Sequence, residues 1–198
     1  MLEELILSMY EVGIVKFGDF LLASGKRSPY YFDFRILPSF PELYLNVIKF
    51  WLQKLGESGV RFDGVVGIAS AGIVHAAVLG YLTKKPIGYV RAERKDHGTG
   101  RLVEGSLKGL KVLVVDDVAT TGGTLVRAYG LLREEGVDVS AFSVILDREE
   151  GAEDAITRLG VPMISLVRTS QIFAVLRKFE VISQDTYELV LNYLRGSR

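Results

Sequence analysis

The 198-residue chain has no cysteine, no excess of either charge and no apolar run long enough to cross a bilayer. Without cysteine there are no disulfides and no thiolate metal sites. Lys plus Arg and Asp plus Glu number 24 each, so the net field favours neither nucleic acid nor an anionic membrane, and neither is expected as a partner. A transmembrane helix takes about 20 apolar residues, more than any run here supplies. Low-complexity tracts and internal repeats are also missing. The opening MLEELILSMYEVGIVKFGDF lacks the basic start of a signal peptide, and its Leu2, Leu5, Ile6 and Met9 fall at helical spacing, which predicts a packed helix. A cytoplasmic location is the default that follows.

What is present suits one α/β domain, with 48% hydrophobic and 24% charged residues in a length that buries a single core. Gly18, Gly25 and Pro29 punctuate an aromatic stretch that reads as a hairpin turning near Ser24 and Gly25. A helix is expected from Pro41, with Leu43, Val47, Phe50, Trp51 and Leu55 as its apolar stripe and Gly56 and Gly59 ending it. From residue 63 onward come five β-branched runs, GVVGIA, PIGYVRA, KVLVVDD, SAFSVIL and VPMISLV. Helices over 72–82, 122–135 and 151–159 fit three of the intervals, which predicts a parallel sheet covered on both faces. The remaining interval, ERKDHGTGRLVEGSLKG, is charged, glycine-rich and without amphipathic period, the pattern of a functional or disordered loop. A C-terminal helix over 183–195 is expected, with Ser183 as N-cap. His75, on a predicted helix beside Ala76, Ala77 and Val78, reads as structural.

The chemistry concentrates in VLVVDDVATTGGTL, residues 112–125. An open parallel sheet binds ligands beyond the carboxyl ends of its strands, where helix N-termini offer free N–H groups to phosphate. Gly122 and Gly123 admit an anion close to the backbone, and Thr120, Thr121 and Thr124 add hydroxyl donors. No lysine precedes Thr124, so this is not the loop of nucleotide triphosphatases, and a monophosphate suits it better. Asp116 and Asp117 would repel that phosphate unless they meet sugar hydroxyls or a divalent cation. A phosphorylated ribose with Mg2+ satisfies both requirements.

VLVVDDVATTGGT resembles the phosphoribosyl pyrophosphate (PRPP) motif of type I phosphoribosyltransferases. FGDFLLASGKRSPYYFD and RAERKDHGTGRLVEG further resemble the N-terminal hood and the catalytic loop of orotate phosphoribosyltransferases, and GIASAGI and LDREEGA extend the likeness from Phe17 to Gly151. The resemblance implies an α/β type I phosphoribosyltransferase fold: a central, mainly parallel sheet flanked by helices, a hood formed mainly by 1–38 and a core over 60–170. It implies transfer of the 5-phosphoribosyl group from PRPP to orotate, giving orotidine 5-phosphate and pyrophosphate, as a step of pyrimidine synthesis. Asp116 and Asp117 would hold the ribose hydroxyls, Thr120, Thr121, Gly122, Gly123 and Thr124 would hold the 5-phosphate, and Val118 and Ala119 would also bind PRPP. Arg91, Lys95 and His97 would close over the pyrophosphate of a neighbouring subunit's site, making a homodimer with shared sites, with Lys95, His97 and Asp117 as the catalytic group. Ala69 and Ser70 match the pyrophosphate loop, where a non-proline cis peptide is typical. Arg148 would contact the orotate carboxylate, with Thr120, Tyr31, Phe32 and Lys26 also beside orotate. Mg2+ would be carried on PRPP near Asp116 and Asp117, with no direct side-chain ligation.

Some family members carry lysines where this chain has Ala23, Ala71 and Ala92; Arg94 or Lys26 stands as a substitute cation. Simpler readings remain beside these. Tyr30, Tyr31 and Phe32 also suit a hairpin core, and Arg148, followed by Glu149 and Glu150, also suits a surface ion pair. A phosphoribosyltransferase for another base is disfavoured by the hood and Arg148, and a PRPP-sensing nucleic-acid regulator by the balanced charge. No decarboxylase activity is expected from this length.

Overall fold

A computed structural model describes residues 2–21, 27–93 and 101–197. Helix α1 (Leu2–Glu11) turns Leu5, Ile6 and Met9 inward, the face set by its helical spacing. Strands β1 (Val15–Leu21) and β2 (Arg27–Phe32) form the expected antiparallel hairpin, whose turn lies outside the described residues. A 3-10 helix over Phe34–Ser39 leads into α2 (Pro41–Ser58), which starts on Pro41. Gly56 does not end this helix as expected; the left-handed Gly59, at φ +68°, does.

The main sheet has the order β5-β4-β3-β6-β7-β8. Strands β3 (Gly64–Ile68), β4 (Ile87–Val90), β6 (Lys111–Ala119), β7 (Asp138–Asp147) and β8 (Met163–Arg168) run parallel, as the β-branched runs predict. Helices α3 (Ala71–Thr83), α4 (Gly123–Glu134) and α5 (Ala152–Thr157) fill the three predicted intervals. The fourth interval is not structureless throughout. Its Val103–Glu104 forms a short edge strand, β5, antiparallel to β4, while 94–100 lie outside the described residues. Helix α6 (Thr169–Lys178), absent from the sequence reading, follows β8 directly and buries Ile172, Phe173 and Leu176. Helix α7 (Gln184–Ser197) closes the chain, and Ser183 Oγ accepts the Thr186 N–H at 3.1 Å, as an N-cap does.

Two apolar cores lie on the sheet's two faces. One packs Val112, Val114, Phe142 and Val144 against Leu125, Leu132 and Ile156 of α4 and α5. The other gathers α1, α2, α6, α7 and the hairpin around Trp51, Leu113 and Phe173. Trp51 is fully buried and its Nε1–H donates to Ser143 Oγ at 2.7 Å, so α2 is bolted to β7 by a bond that leaves no indole donor unpaired. Among the described residues no helix is long and apolar enough to cross a membrane.

Candidate active site

Strands β3 and β6 are neighbours at the point where the chain reverses its direction of travel across the sheet. Ligands bind outside the carboxyl ends of strands at such a point. The turn after β3 packs there against the end of β6 through two glycines. A Cβ on Gly67 would lie 2.3 Å from Gly72 O, and one on Gly72 would lie 2.5 Å from Val115 O and 3.2 Å from Asp116 Oδ1. The first turn of α3 therefore rests on the backbone of β6, which only glycine permits. Between these glycines the Ala69–Ser70 peptide is cis, as the resemblance implied.

Asp116 and Asp117 sit half-buried at the end of β6. The Asp117 N–H donates to Asp116 Oδ1 at 3.0 Å, and the Val118 N–H to Asp117 Oδ1 at 2.8 Å. Burial raises both carboxyls above the ordinary carboxylate range, most strongly Asp116, and the charge of Asp117 adds to the rise at Asp116. Such a pair is poised to exchange hydration for sugar hydroxyls or a cation. Immediately beyond, Thr120, Thr121, Gly123 and Thr124 are exposed and Gly122, at φ +83°, begins α4. No side chain caps this helix, so its first N–H groups face outward with the threonine hydroxyls around them.

Arg91, just past β4, is braced by Glu104 of β5 at 2.8 Å and by the ring of Tyr89. Arg127 of α4 donates to the Arg91 carbonyl at 3.4 Å. Together with Ala69, Ala92, Gly123 and Thr124 they line a cavity of about 420 Å3 that joins the Ala69–Ser70 turn to the threonine turn. A larger groove of about 920 Å3, between α1 and α2, shares no residue with this group.

The loop after β7 is tied to the same place. The Arg148 N–H donates to Ala119 O at 2.9 Å and the Ala152 N–H to Thr120 O at 3.1 Å. Arg148 is only 4% exposed, its guanidinium lies over the Tyr30 ring at 5.1 Å, and its Nε is 2.8 Å from Glu150 Oε1. The ion pair with an acidic neighbour thus exists, but it is buried rather than on the surface.

Tyr31 and Phe32 do not share a role. Alternation along β2 turns Tyr31 toward the open side, where Arg35 Nη2 donates to its hydroxyl at 3.3 Å. Phe32 points the other way, against Tyr30 at 5.3 Å and Phe173 at 6.0 Å. Its side chain is core, in line with the hairpin-core reading of this residue. His75 is buried on α3, with Nδ1 2.9 Å from Tyr44 Oη, and burial lowers it to about 4. Lys26, Lys95 and His97 lie outside the described residues, as do Ala23 and Arg94.

One residue carried no signal in the sequence. Arg35 donates from Nε to Asp33 Oδ1 at 2.8 Å, and its charge tempers the rise at Asp117. Of the two acidic residues that follow Arg148, Glu150 is its buried partner. Arg35 carried no local signal, since FDFRIL reads as an ordinary strand exit.

The description of the Phosphoribosyl transferase domain matches residues 40–165. A protein of Staphylothermus marinus named orotate phosphoribosyltransferase is 50% identical over 197 residues, which are 100% of this chain and 96% of the relative. The crystal structure of orotate phosphoribosyltransferase from Aeropyrum pernix is similar at a TM-score of 0.78 and 37% identity, covering 90% of this chain and 99% of that one. The structure of Leishmania donovani UMP synthase is similar at a TM-score of 0.87 and 30% identity, over 98% of this chain but 42% of that one.

Proposed function

The chain belongs to the phosphoribosyl transferase family and, within it, to the orotate phosphoribosyltransferases, and from that premise we propose how its residues divide the transfer of phosphoribose from PRPP to orotate. The single observation that carries this reading is the junction of β3 and β6. There the glycine contact at Gly72 brings the Ala69–Ser70 turn to the Asp116–Asp117 pair and the open start of α4.

In this reading the N–H groups and hydroxyls of Thr120 to Thr124 bind the 5-phosphate, with Val118 and Ala119 as the strand end that places them. Asp116 and Asp117, at the end of the strand that leads into this turn, accept hydrogen bonds from the ribose hydroxyls. Their oxygens are hard donors of the kind Mg2+ takes, so the residues present fit a cation carried in on PRPP. The metal, when bound, neutralises charge on the departing pyrophosphate. Ala69 and Ser70 offer backbone groups to that pyrophosphate, and Arg91 supplies positive charge from the same cavity. Negative charge grows on the leaving oxygens in the transition state, so such cations act more on it than on bound PRPP. Lys95 and His97 join this group on the strength of the loop resemblance.

Arg148, Thr120 and Tyr31 form the orotate side. A guanidinium takes a carboxylate bidentately, as an ammonium does not, and the backbone bonds to Ala119 and Thr120 set it beside the phosphate turn. Lys26 is a further orotate contact by resemblance. The transfer leaves an electron-poor ribose that water would capture, a physical reason for a loop that excludes water. The enzyme acts as a homodimer whose catalytic loop serves the partner's site. Mixing Lys95→Ala protein with Asp117→Asn protein tests this. Shared sites predict that the inactive parents regain activity on subunit exchange; a mixture no more active than its parents contradicts them. A competition assay with hypoxanthine, adenine and uracil tests the base: only orotate should be consumed.

A further inference from the structure

Among the described residues Arg148 is the only buried cation. Three groups surround it: the Tyr30 ring beneath the guanidinium, Glu150 at its Nε, and the β6 end through its own backbone. Tyr30 is in turn held against Phe173 of α6 at 4.9 Å and Tyr193 of α7 at 5.5 Å, so the plate under the guanidinium does not yield. The contact with Glu150 is an ion pair off the hydrogen-bonding line. Arg148 Nε, Arg148 Nη2 and Glu150 Oε1 are buried with no well-aligned hydrogen bond among the described residues, and the Arg148 side chain stands near enough to Tyr30 Oη to interact with it. Buried donors are ordinarily satisfied, so the unspent capacity of this guanidinium calls for an anionic acceptor.

Glu149 and Glu150 are chemically alike but do different work. Glu149, at φ +60°, accepts the Ser170 N–H of α6 on its Oε2 at 2.7 Å. The left-handed turn there sends the next side chain inward, where the side chains of Glu150 and Arg148 are 10% and 5% exposed. A guanidinium offers two flanks to carboxylates, one through Nε and one through its terminal nitrogens. Glu150 faces the first.

We propose that Glu150 is a positioning residue for substrate recognition: its carboxylate fixes the Nε flank of Arg148 over Tyr30 and leaves the remaining flank to the carboxylate of the pyrimidine. This rests on the reading of Arg148 as the orotate-carboxylate contact. Without Glu150 the guanidinium would swing on its long stem, and the enzyme would lose its preference for a carboxylated ring rather than its hold on the nucleotide.

The test is the ratio of affinities, by calorimetry, for orotidine 5-phosphate and uridine 5-phosphate, which differ by that carboxylate alone. Glu150→Ala is expected to lower the preference for orotidine 5-phosphate about tenfold while uridine 5-phosphate binding moves less than about threefold. Glu150→Gln keeps an oxygen at the same reach and should hold the preference within about threefold of the wild type. Arg148→Ala should abolish it. If Arg148→Ala leaves the preference intact, the carboxylate assignment fails and the role of Glu150 fails with it. If Arg148→Ala abolishes the preference while Glu150→Ala retains it, only the role of Glu150 is overturned. Equal losses for both nucleotides in Glu150→Ala overturn it as well, because a general loosening moves both. Should Glu150→Ala not fold, a collapse of the preference in Glu150→Gln overturns the claim that placement is what matters.

Discussion

The Arg148 N–H donates to the Ala119 carbonyl at 2.9 Å. That one bond joins the loop that carries the buried guanidinium to the last residue of the strand that carries the carboxylate pair. In the proposed division of roles, the base side and the phosphate side are registered by backbone rather than by mobile side chains, the arrangement that best preserves reacting geometry.

Gly72 tests the contact that seats the turn after β3 on β6. In Gly72→Ala the new Cβ would meet Val115 O at 2.5 Å, a backbone atom that cannot rotate away. The Ala69–Ser70 turn should shift. Stability is expected to fall by about 1–3 kcal/mol, and kcat/KM for PRPP by on the order of 100-fold, a cost typical of a misplacement near 1 Å. Steady-state kinetics beside a thermal melt checks both.

The raised carboxyl of Asp116 predicts a trade between stability and activity. A carboxyl whose folded pKa lies above its unfolded value, about 3.9, binds more protons folded than unfolded. Its ionisation therefore destabilises the free protein as pH rises above that value. Asp116→Asn should raise Tm at pH 8, by about 2–4 °C for each kcal/mol regained, show little gain at pH 4, and lose transfer activity. A melt with lower Tm than the wild type at pH 8 contradicts the account.

His75 predicts the opposite pH trend. Burial lowers it from 6.5 to about 4, so the unfolded chain binds the extra proton first and stability falls as pH drops from 6.5 toward 4. The loss amounts to about 2–3 kcal/mol by the usual conversion. Denaturant melts of His75→Gln across that range should decline less steeply than the wild type, whatever their absolute stability.

Ser143 separates fold from function. Its Oγ accepts from Trp51 Nε1 and donates to Ile164 O at 3.0 Å. Ser143→Ala leaves a buried indole donor unpaired, which costs about 1–3 kcal/mol, and should leave the rate per folded molecule unchanged.

The sheet was legible because β-branched runs and the motif at 112–125 are local signals. The same holds for the helices that fill single intervals and for the Ser183 cap. Strand β5 was not, since two residues show no periodicity and pair only because Tyr89 lies beside Glu104. Helix α6 was hidden because no turn residue separates it from β8. The opposite fates of Tyr31 and Phe32 depend on which face of the hairpin meets Phe173, some 140 residues away. Likewise nothing local distinguishes Glu149 from Glu150; the left-handed turn and the start of α6 do.

The central claim is that the Asp116–Asp117 junction performs phosphoribosyl transfer to orotate. Its most direct measurement is the loss of orotate absorbance on adding PRPP and Mg2+, run on the wild type and on Asp117→Asn of verified fold. The account predicts steady loss in the wild type and a rate at least about 100-fold lower in the variant, the scale of a lost charge contact at the reacting centre. Equal rates in the two proteins, or no consumption of orotate by the wild type, would contradict it.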